Sequence, residues 1–330
     1  MTDILVLGGT GWLSGRIAEL WLGAGASVTC LARGGRAVPS GARLVAADRD
    51  ASGAYDSVAD RDWDEIVDIS SRARHVEEAV AALAGRTRHW TCVSTVSVYA
   101  ANDQPGSDEK APLLEAAEPG DADDYGREKV AAENAVRSAL GLRAAIVRPG
   151  LIVGRGDPTD RFGYWVSRFA LAGDGPVLVP DLGGRGAQVI DVDDLAAFIV
   201  SIGRERWTGV VNAVGDRMPL TEVLRAAAEV AAFAGSTRQA TDDWLAAHDV
   251  AHWAGPRSLP LWLPRDMTGF WQRSNTAYRL LGGRLRPVRE TLASTLADER
   301  ERGLDRERRS GLSRTDELAL LDELSGPAGA

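Results

Sequence analysis

Residues Ile4 to Gly15 read Ile-Leu-Val-Leu-Gly-Gly-Thr-Gly-Trp-Leu-Ser-Gly, and the reading of this stretch decides the fold. Ile4 to Leu7 is a short unbroken apolar run, as in a strand covered on both faces. Gly8, Gly9 and Gly11 follow at once, and Ile17, Leu20 and Trp21 then recur at helical spacing. Strand, glycine turn and helix start are the context that a dinucleotide-binding turn requires. Glycine permits the tight bend and lets backbone N–H groups approach a pyrophosphate at the positive end of the helix. The spacing Gly8-x-x-Gly11-x-x-Ser14-Gly15 puts serine where a third glycine is expected.

Working outward, strand and helix patterns alternate to about residue 100, which implies parallel strands joined by crossover helices. Val28–Leu31, Arg43–Ala46, Glu65–Ile69 and His89–Ser94 read as strands, and 76–83 as the clearest helix between them. The stretch 100–124 is rich in Asp, Glu, Pro and Gly and reads as a surface loop. A helix is expected over 125–140, a strand over 142–147 ended by Arg148-Pro149-Gly150, a helix over 164–172, and a strand over 210–214. The Asp193-Asp194 pair suits a helix N-terminus, and Ser313 with Asp316 suits the cap of a last helix. The segment 298–309 mixes both charge signs and reads as a solvated helix. The expected architecture is α/β, a doubly wound parallel sheet with a smaller, mostly helical C-terminal substrate domain. Residues 1–150 plus 188–215 would form the first domain and 151–187 plus 216–330 the second.

Of the 330 residues, 45% are hydrophobic and 26% charged, an ordinary globular balance. A net charge of -9 argues against general affinity for nucleic acid or anionic membrane. Cys30 and Cys92 lie in apolar runs and read as buried, reduced thiols. No apolar run approaches a membrane span, and Met1-Thr2-Asp3 leads directly into the first strand, so a cytoplasmic location is expected. No metal site is expected.

Two further stretches carry chemistry. In Tyr125-Gly-Arg-Glu-Lys129 the phenol and the ammonium lie four apart on a helix, and a cation beside a phenol lowers its pKa toward use as a general acid/base. In Val93-Ser-Thr-Val-Ser-Val-Tyr99 hydroxyls gather at the carboxyl end of a strand, where Thr95 or Ser97 can meet a substrate oxygen.

Taken in this order, the glycine turn, the Ser-Thr-x-Ser-Val-Tyr run and the Tyr-x-x-x-Lys helix resemble the extended short-chain dehydrogenase/reductases. The resemblance is specifically to the NAD-dependent epimerase/dehydratase family, with its Rossmann domain, and it covers roughly residues 1–215. It implies that Tyr125 is the acid/base, that Lys129 lowers the Tyr125 pKa and binds the nicotinamide ribose, and that Thr95 holds the substrate oxygen. It further implies that Arg148 and Pro149 close over the nicotinamide, that Asp48 meets adenine, and that Gly8, Thr10, Gly11, Trp12 and Leu13 hold the pyrophosphate. A homodimer built on the helix of Tyr125 and its neighbour is expected on the same ground.

After the second strand the family's acidic residue is replaced by Ala32-Arg33, with Arg36 close by. Two cations and no carboxylate suit a 2′-phosphate, so NADP(H) is expected over NAD(H). Other departures concern the substrate. Leu151 stands where the family often has asparagine and Ala187 where it has a basic residue, with Arg185 and Gln188 near, which weakens the match to a nucleotide-diphosphate sugar. His75 falls roughly where another asparagine would line the site. Tyr164, Trp165, Trp253, Trp262, Phe270 and Trp271 fall in the substrate-side segments and imply a less polar pocket. The reading is an NADP(H)-dependent reductase acting on a small-molecule carbonyl or alcohol. The alternatives are a nucleotide-sugar epimerase and, from another class, a dinucleotide-dependent regulatory or RNA-binding protein without turnover.

Overall fold

The computed structural model describes residues 2–118 and 124–326. The expected loop 100–124 is therefore seen except for 119–123, which lie outside the described residues. Two compact units emerge: Met1–Leu151 with Val192–Gly215 and Arg273–Leu285, and Ile152–Asp191 with Asp216–Gln272 and Arg286–Ala330.

The first unit is a Rossmann-type sheet. Its strands are β1 (Asp3–Leu7), β2 (Ser27–Ala32), β3 (Arg43–Ala46), β4 (Glu65–Asp68), β5 (Trp90–Val93), β6 (Ala144–Pro149) and β7 (Gly209–Ala213). They form a seven-stranded sheet in the order β7-β6-β5-β4-β1-β2-β3. Every neighbouring pair is parallel. The unbroken apolar run of β1 has its reason here, because Ile4, Leu5, Val6 and Leu7 are all fully buried in the middle of the sheet. At the edge, β3 keeps only Val45 buried. Among the helices, α1 (Trp12–Gly23) packs on α4 (Val192–Glu205), and α2 (Ala73–Leu83) packs on α3 (Tyr125–Leu140). Leu5, Leu7, Leu31, Ile66, Trp90 and Ile146 share one apolar cluster with Val76, Val80, Ala132 and Val136 from α2 and α3. The chain moves from β1 out to β2 and β3 and then returns to the other side of β1 as β4. That reversal opens a crevice at the carboxyl ends of β1 and β4, the place where ligands enter open α/β sheets.

The boundaries differ from the sequence reading by small amounts with clear causes. The sixth strand begins at Ala144 because Gly141–Arg143 still turns as a 3₁₀ segment. Arg273–Leu285 belongs to the first unit, where Arg273 donates to the Ala101 carbonyl and to Asn102 and lies over the Tyr99 ring.

The second unit is mainly helical, with Arg161–Ala172, Leu220–Val230, Val288–Arg302 and Arg314–Ser325 as its longer helices. The last is capped as expected, Ser313 Oγ accepting from Asp316 N at 3.0 Å. The reading of 298–309 as one solvated helix is corrected. The helix ends at Arg302, and Asp298 and Glu299 are buried. Glu299 pairs with Arg306 and Arg308, and Asp160 with Arg302 and Arg306. Mixed charge here marks a folded ionic cluster, because each sign meets its opposite across the turn after the helix.

Candidate functional site

The turn after β1 is built by its glycines. Gly8 has φ of +88°, in the left-handed region that favours glycine, and its N–H donates to the Leu31 carbonyl of β2 at 2.9 Å. A Cβ on Gly9 would fall 2.4 Å from the Cβ of Cys30, so this residue lets the turn lie against β2. Ser14, in the third glycine position, takes part in the turn: its buried hydroxyl donates to the carbonyls of Gly8 at 2.7 Å and Gly11 at 3.1 Å. The N-terminus of α1 has no side-chain cap and no acidic residue in its first turn. An uncapped helix N-terminus of this kind is electrostatically suited to an anion.

Beyond the turn opens a cleft of about 810 Å³, within the range of small-molecule and cofactor sites. Gly8, Thr10, Gly11, Trp12, Leu13, Arg33, Arg36, Asp48 and His75, each singled out from the sequence, all stand on its wall. So do Arg49, Asp50, Ser70, Ser71 and Arg72, which the sequence reading did not single out. The cradle, the uncapped helix end and the cleft fit a dinucleotide.

The charges on this wall fall into two groups. Arg49 is buried and pairs through both Nη atoms with the two carboxylate oxygens of Asp68, at 2.8 and 2.9 Å, while its Nε donates to Tyr55 Oη at 2.8 Å. Burial opposes the Arg49 charge, but Asp68 and Tyr55 outweigh it and its pKa rises. Hydrogen bonds from His75 and Arg74 hold the Asp50 carboxyl down at about 2. Arg33, Arg36 and Arg72, by contrast, are exposed, and their guanidiniums have no hydrogen-bond or ion-pair partner among the described residues.

The acid/base candidates stand one strand further along. Lys129 is buried, and its ammonium donates to the carbonyl of Ser70 at 2.5 Å and to that of Val93 at 2.6 Å. Ser70 is itself on the cleft wall, so Lys129 supports that wall from behind. Tyr125, one turn earlier on α3, is 49% exposed. Asp124 caps this helix, accepting from Gly126 N at 2.8 Å and Arg127 N at 3.1 Å. Thr95, nearly buried, accepts from Ser97 N at 3.1 Å and donates to Ser97 Oγ at 3.2 Å.

Arg148 and Pro149 end β6 and are buried there. The Arg148 guanidinium meets the Glu133 carboxylate of α3 at 2.9 and 2.7 Å, and its Nη1 donates to Tyr99 Oη at 3.0 Å. Ser94 donates to the same carboxylate at 2.6 Å, and Tyr99 Oη donates to Asn212 of β7 at 2.6 Å. Arg148 therefore ties α3, β5, β6 and β7 together.

In the second unit, Tyr164 and Trp262 are fully buried and Gln188 nearly so. Tyr164 stands edge-on to Trp165, and the Trp262 indole donates to Asp242 at 3.1 Å. Both rings are packing elements of that unit. Arg185 is buried with its guanidinium shared among the Leu263 carbonyl, the Asp181 carbonyl and the Asp242 carboxylate.

Comparison with known proteins agrees with this geometry. Residues 4–214 match the model of the NAD dependent epimerase/dehydratase family. No curated protein matches the chain in a sequence search. Among solved structures, one from Burkholderia cenocepacia J2315 superposes with a TM-score of 0.71 at 21% identity, over 91% of this chain and 98% of that one. The Bacillus cereus UDP-glucuronic acid 4-epimerase in complex with NAD gives 0.66 at 13% identity, over 91% and 99%. The Bordetella bronchiseptica enzyme WbmH in complex with NAD+ gives 0.67 at 17% identity, over 91% and 99%.

Proposed function

Since the chain belongs to the NAD-dependent epimerase/dehydratase family, we propose that it is an NADP(H)-dependent oxidoreductase acting on a small-molecule carbonyl or alcohol. The observation that carries the cofactor choice is the wall after β2. Arg33 and Arg36 stand there without partners among the described residues, where an enzyme selecting NAD sets a carboxylate against the ribose diol. When bound, the cofactor supplies or accepts a hydride at its nicotinamide.

The protein's own groups do the rest. The glycine turn and the uncapped end of α1 bind the pyrophosphate. Lys129, with two N–H groups committed to Ser70 and Val93, keeps its third for the ribose and sets a positive charge one turn from Tyr125. One turn from Lys129 on the same helix, Tyr125 presents the hydroxyl that would give a proton to, or take one from, the substrate oxygen. Thr95 orients the same oxygen by exchanging its bond to Ser97 for one to substrate.

A reductase is preferred to a nucleotide-sugar epimerase because the basic residue nearest the family's diphosphate-binding position, Arg185, is already consumed inside its own unit. A homodimer through α2 and α3 accompanies the family reading, and sedimentation tests it.

Tyr125→Phe is the test of the chemistry. Turnover of NADPH with a panel of aldehydes and ketones should be lost while cofactor affinity stays within about twofold, because the hydroxyl acts on the substrate oxygen. Retained turnover would remove Tyr125 from the mechanism. Tight cofactor binding with no turnover by the wild-type protein on any carbonyl or alcohol would favour a regulatory protein.

A further inference from the structure

Arg72 has a place in the cleft that Arg33 and Arg36 do not share. The sheet order puts β2 on one side of β1 and β4 on the other. Arg33 and Arg36 follow β2, while Arg72 follows β4 and immediately precedes α2. With neighbouring strands about 4.8 Å apart, the two sets of cations flank the glycine turn from opposite sides.

The backbone that carries Arg72 is held firmly. Arg49 fixes the Asp68 carboxylate, Asp68 accepts from Ser70 N at 3.0 Å, and Ser70 Oγ accepts from Arg72 N at 3.2 Å. Lys129 holds the Ser70 carbonyl, and Glu128 accepts from Ala73 N at 2.6 Å, so the start of α2 is already capped by a carboxylate. The main chain at Ser70, Arg72 and Ala73 is thus tied down, yet the Arg72 guanidinium has no partner among the described residues. In a chain of net charge -9, an unpaired cation on a concave wall opposite two others calls for a ligand with two separate anionic groups.

From this we infer that Arg72 is a clasp for the pyrophosphate, distinct from the pair that receives the 2′-phosphate. The inference rests on the dinucleotide reading of the cleft and adds a division of labour to it. Arg72 closes on the phosphates from the β4 side while the glycine turn and α1 hold them from below. It therefore serves NAD(H) and NADP(H) equally, and Arg33 with Arg36 alone separates them.

Fragments of the cofactor carry the two anions apart. ADP has a pyrophosphate and no 2′-phosphate, and 2′-AMP has the reverse. Calorimetric titration of wild type, Arg72→Gln and the double variant Arg33→Gln with Arg36→Gln should show a crossed pattern. Arg72→Gln should weaken ADP, NADH and NADPH by a similar factor, about tenfold, and leave 2′-AMP within about twofold. The double variant should weaken 2′-AMP and NADPH and spare ADP. Arg72 makes no side-chain bond among the described residues, so an unchanged melting midpoint checks the fold. Unaltered ADP affinity in Arg72→Gln overturns the clasp, as does an equal loss for ADP and 2′-AMP, which would report only a general field. In both cases wild-type binding of NADPH would leave the dinucleotide reading standing. Wild-type protein that binds neither NADPH nor ADP overturns both.

Discussion

The carboxyl edge of the sheet has two halves that handle charge in opposite ways. Over β5, β6 and β7 the charges are buried and matched: Glu133 accepts from Ser94 and from both arms of Arg148, and Arg148 and Asn212 share Tyr99. Over β1, β2 and β4 the guanidiniums of Arg33, Arg36 and Arg72 stand in a cleft without partners among the described residues. The first half is architecture, because its charges satisfy one another. In the second, Arg49 and Asp68 satisfy each other while the three exposed guanidiniums are left over, which supports the proposal that a ligand completes them. Between them lies Lys129, which is tied to a strand end on each side through Ser70 and Val93.

The comparison breaks first at Glu133. Removing one partner of a buried ion pair strands the other, so Glu133→Ala should cost about 3–5 kcal/mol in chemical denaturation. A loss below about 1 kcal/mol would mean that the network does not hold the helix of Lys129 in place. Next is Gly9→Ala, whose new methyl would overlap Cys30, forcing the turn off β2. Cofactor affinity should fall at least about a hundredfold, an order of magnitude beyond the loss from one charged hydrogen bond. Affinity close to wild type would show that the turn does not form the floor of the site.

The amino end of the sheet extends the rule that matched charges are structural. His89 is buried with Nδ1 at 2.5 Å from Glu65 Oε2 and Nε2 at 2.7 Å from the Trp207 carbonyl. Both ring nitrogens face acceptors, an arrangement that favours the protonated imidazole. Burial opposes this, but the Glu65 hydrogen bond and charge, with the Trp207 carbonyl, outweigh it and the pKa is raised. The stabilisation is therefore complete below the unfolded pKa, about 6.5, and is lost as pH climbs through the folded one. Chemical denaturation at stepped pH from about 6 upward should show stability falling more for wild type than for His89→Gln. The extra loss is about 1.4 kcal/mol for each pH unit that separates the folded pKa from the unfolded one. Parallel profiles would contradict a charged His89. The smallest effect belongs to Ser14→Gly, which removes two hydrogen bonds inside the turn and should cost about 1–2 kcal/mol. Stability equal to wild type would show that the hydroxyl contributes nothing there.

How much of this was legible follows from the range of the interactions involved. The turn, the order of strands and helices, and the wall residues Gly8, Thr10, Gly11, Trp12, Leu13, Arg33, Arg36 and Asp48 could be read because each is encoded within a few residues of chain. Arg49 escaped notice because its partner Asp68 comes from a different strand, and a buried pair in Asp48-Arg49-Asp50 looks like a solvated charge run. Arg72 sits in Ser70-Ser-Arg-Ala-Arg-His75, where only His75 attracted attention. The absence of a partner is a property of space, and sequence does not carry it. The same holds for Glu133 and Arg148, whose pairing under the sheet edge joins positions fifteen residues apart on different elements. Tyr164 and Trp262 show the converse limit, since their full burial inside the second unit depends on how loop-rich segments fold over them and is not encoded locally.

The central claim is that the unpaired cations of the open half await a phosphorylated dinucleotide. Equilibrium titration of the wild-type protein with NADPH and NADH in the same low-salt buffer tests it most directly. NADPH should bind at least about tenfold more tightly, the worth of one charge-assisted hydrogen bond. Equal affinities, or tighter binding of NADH, would contradict it.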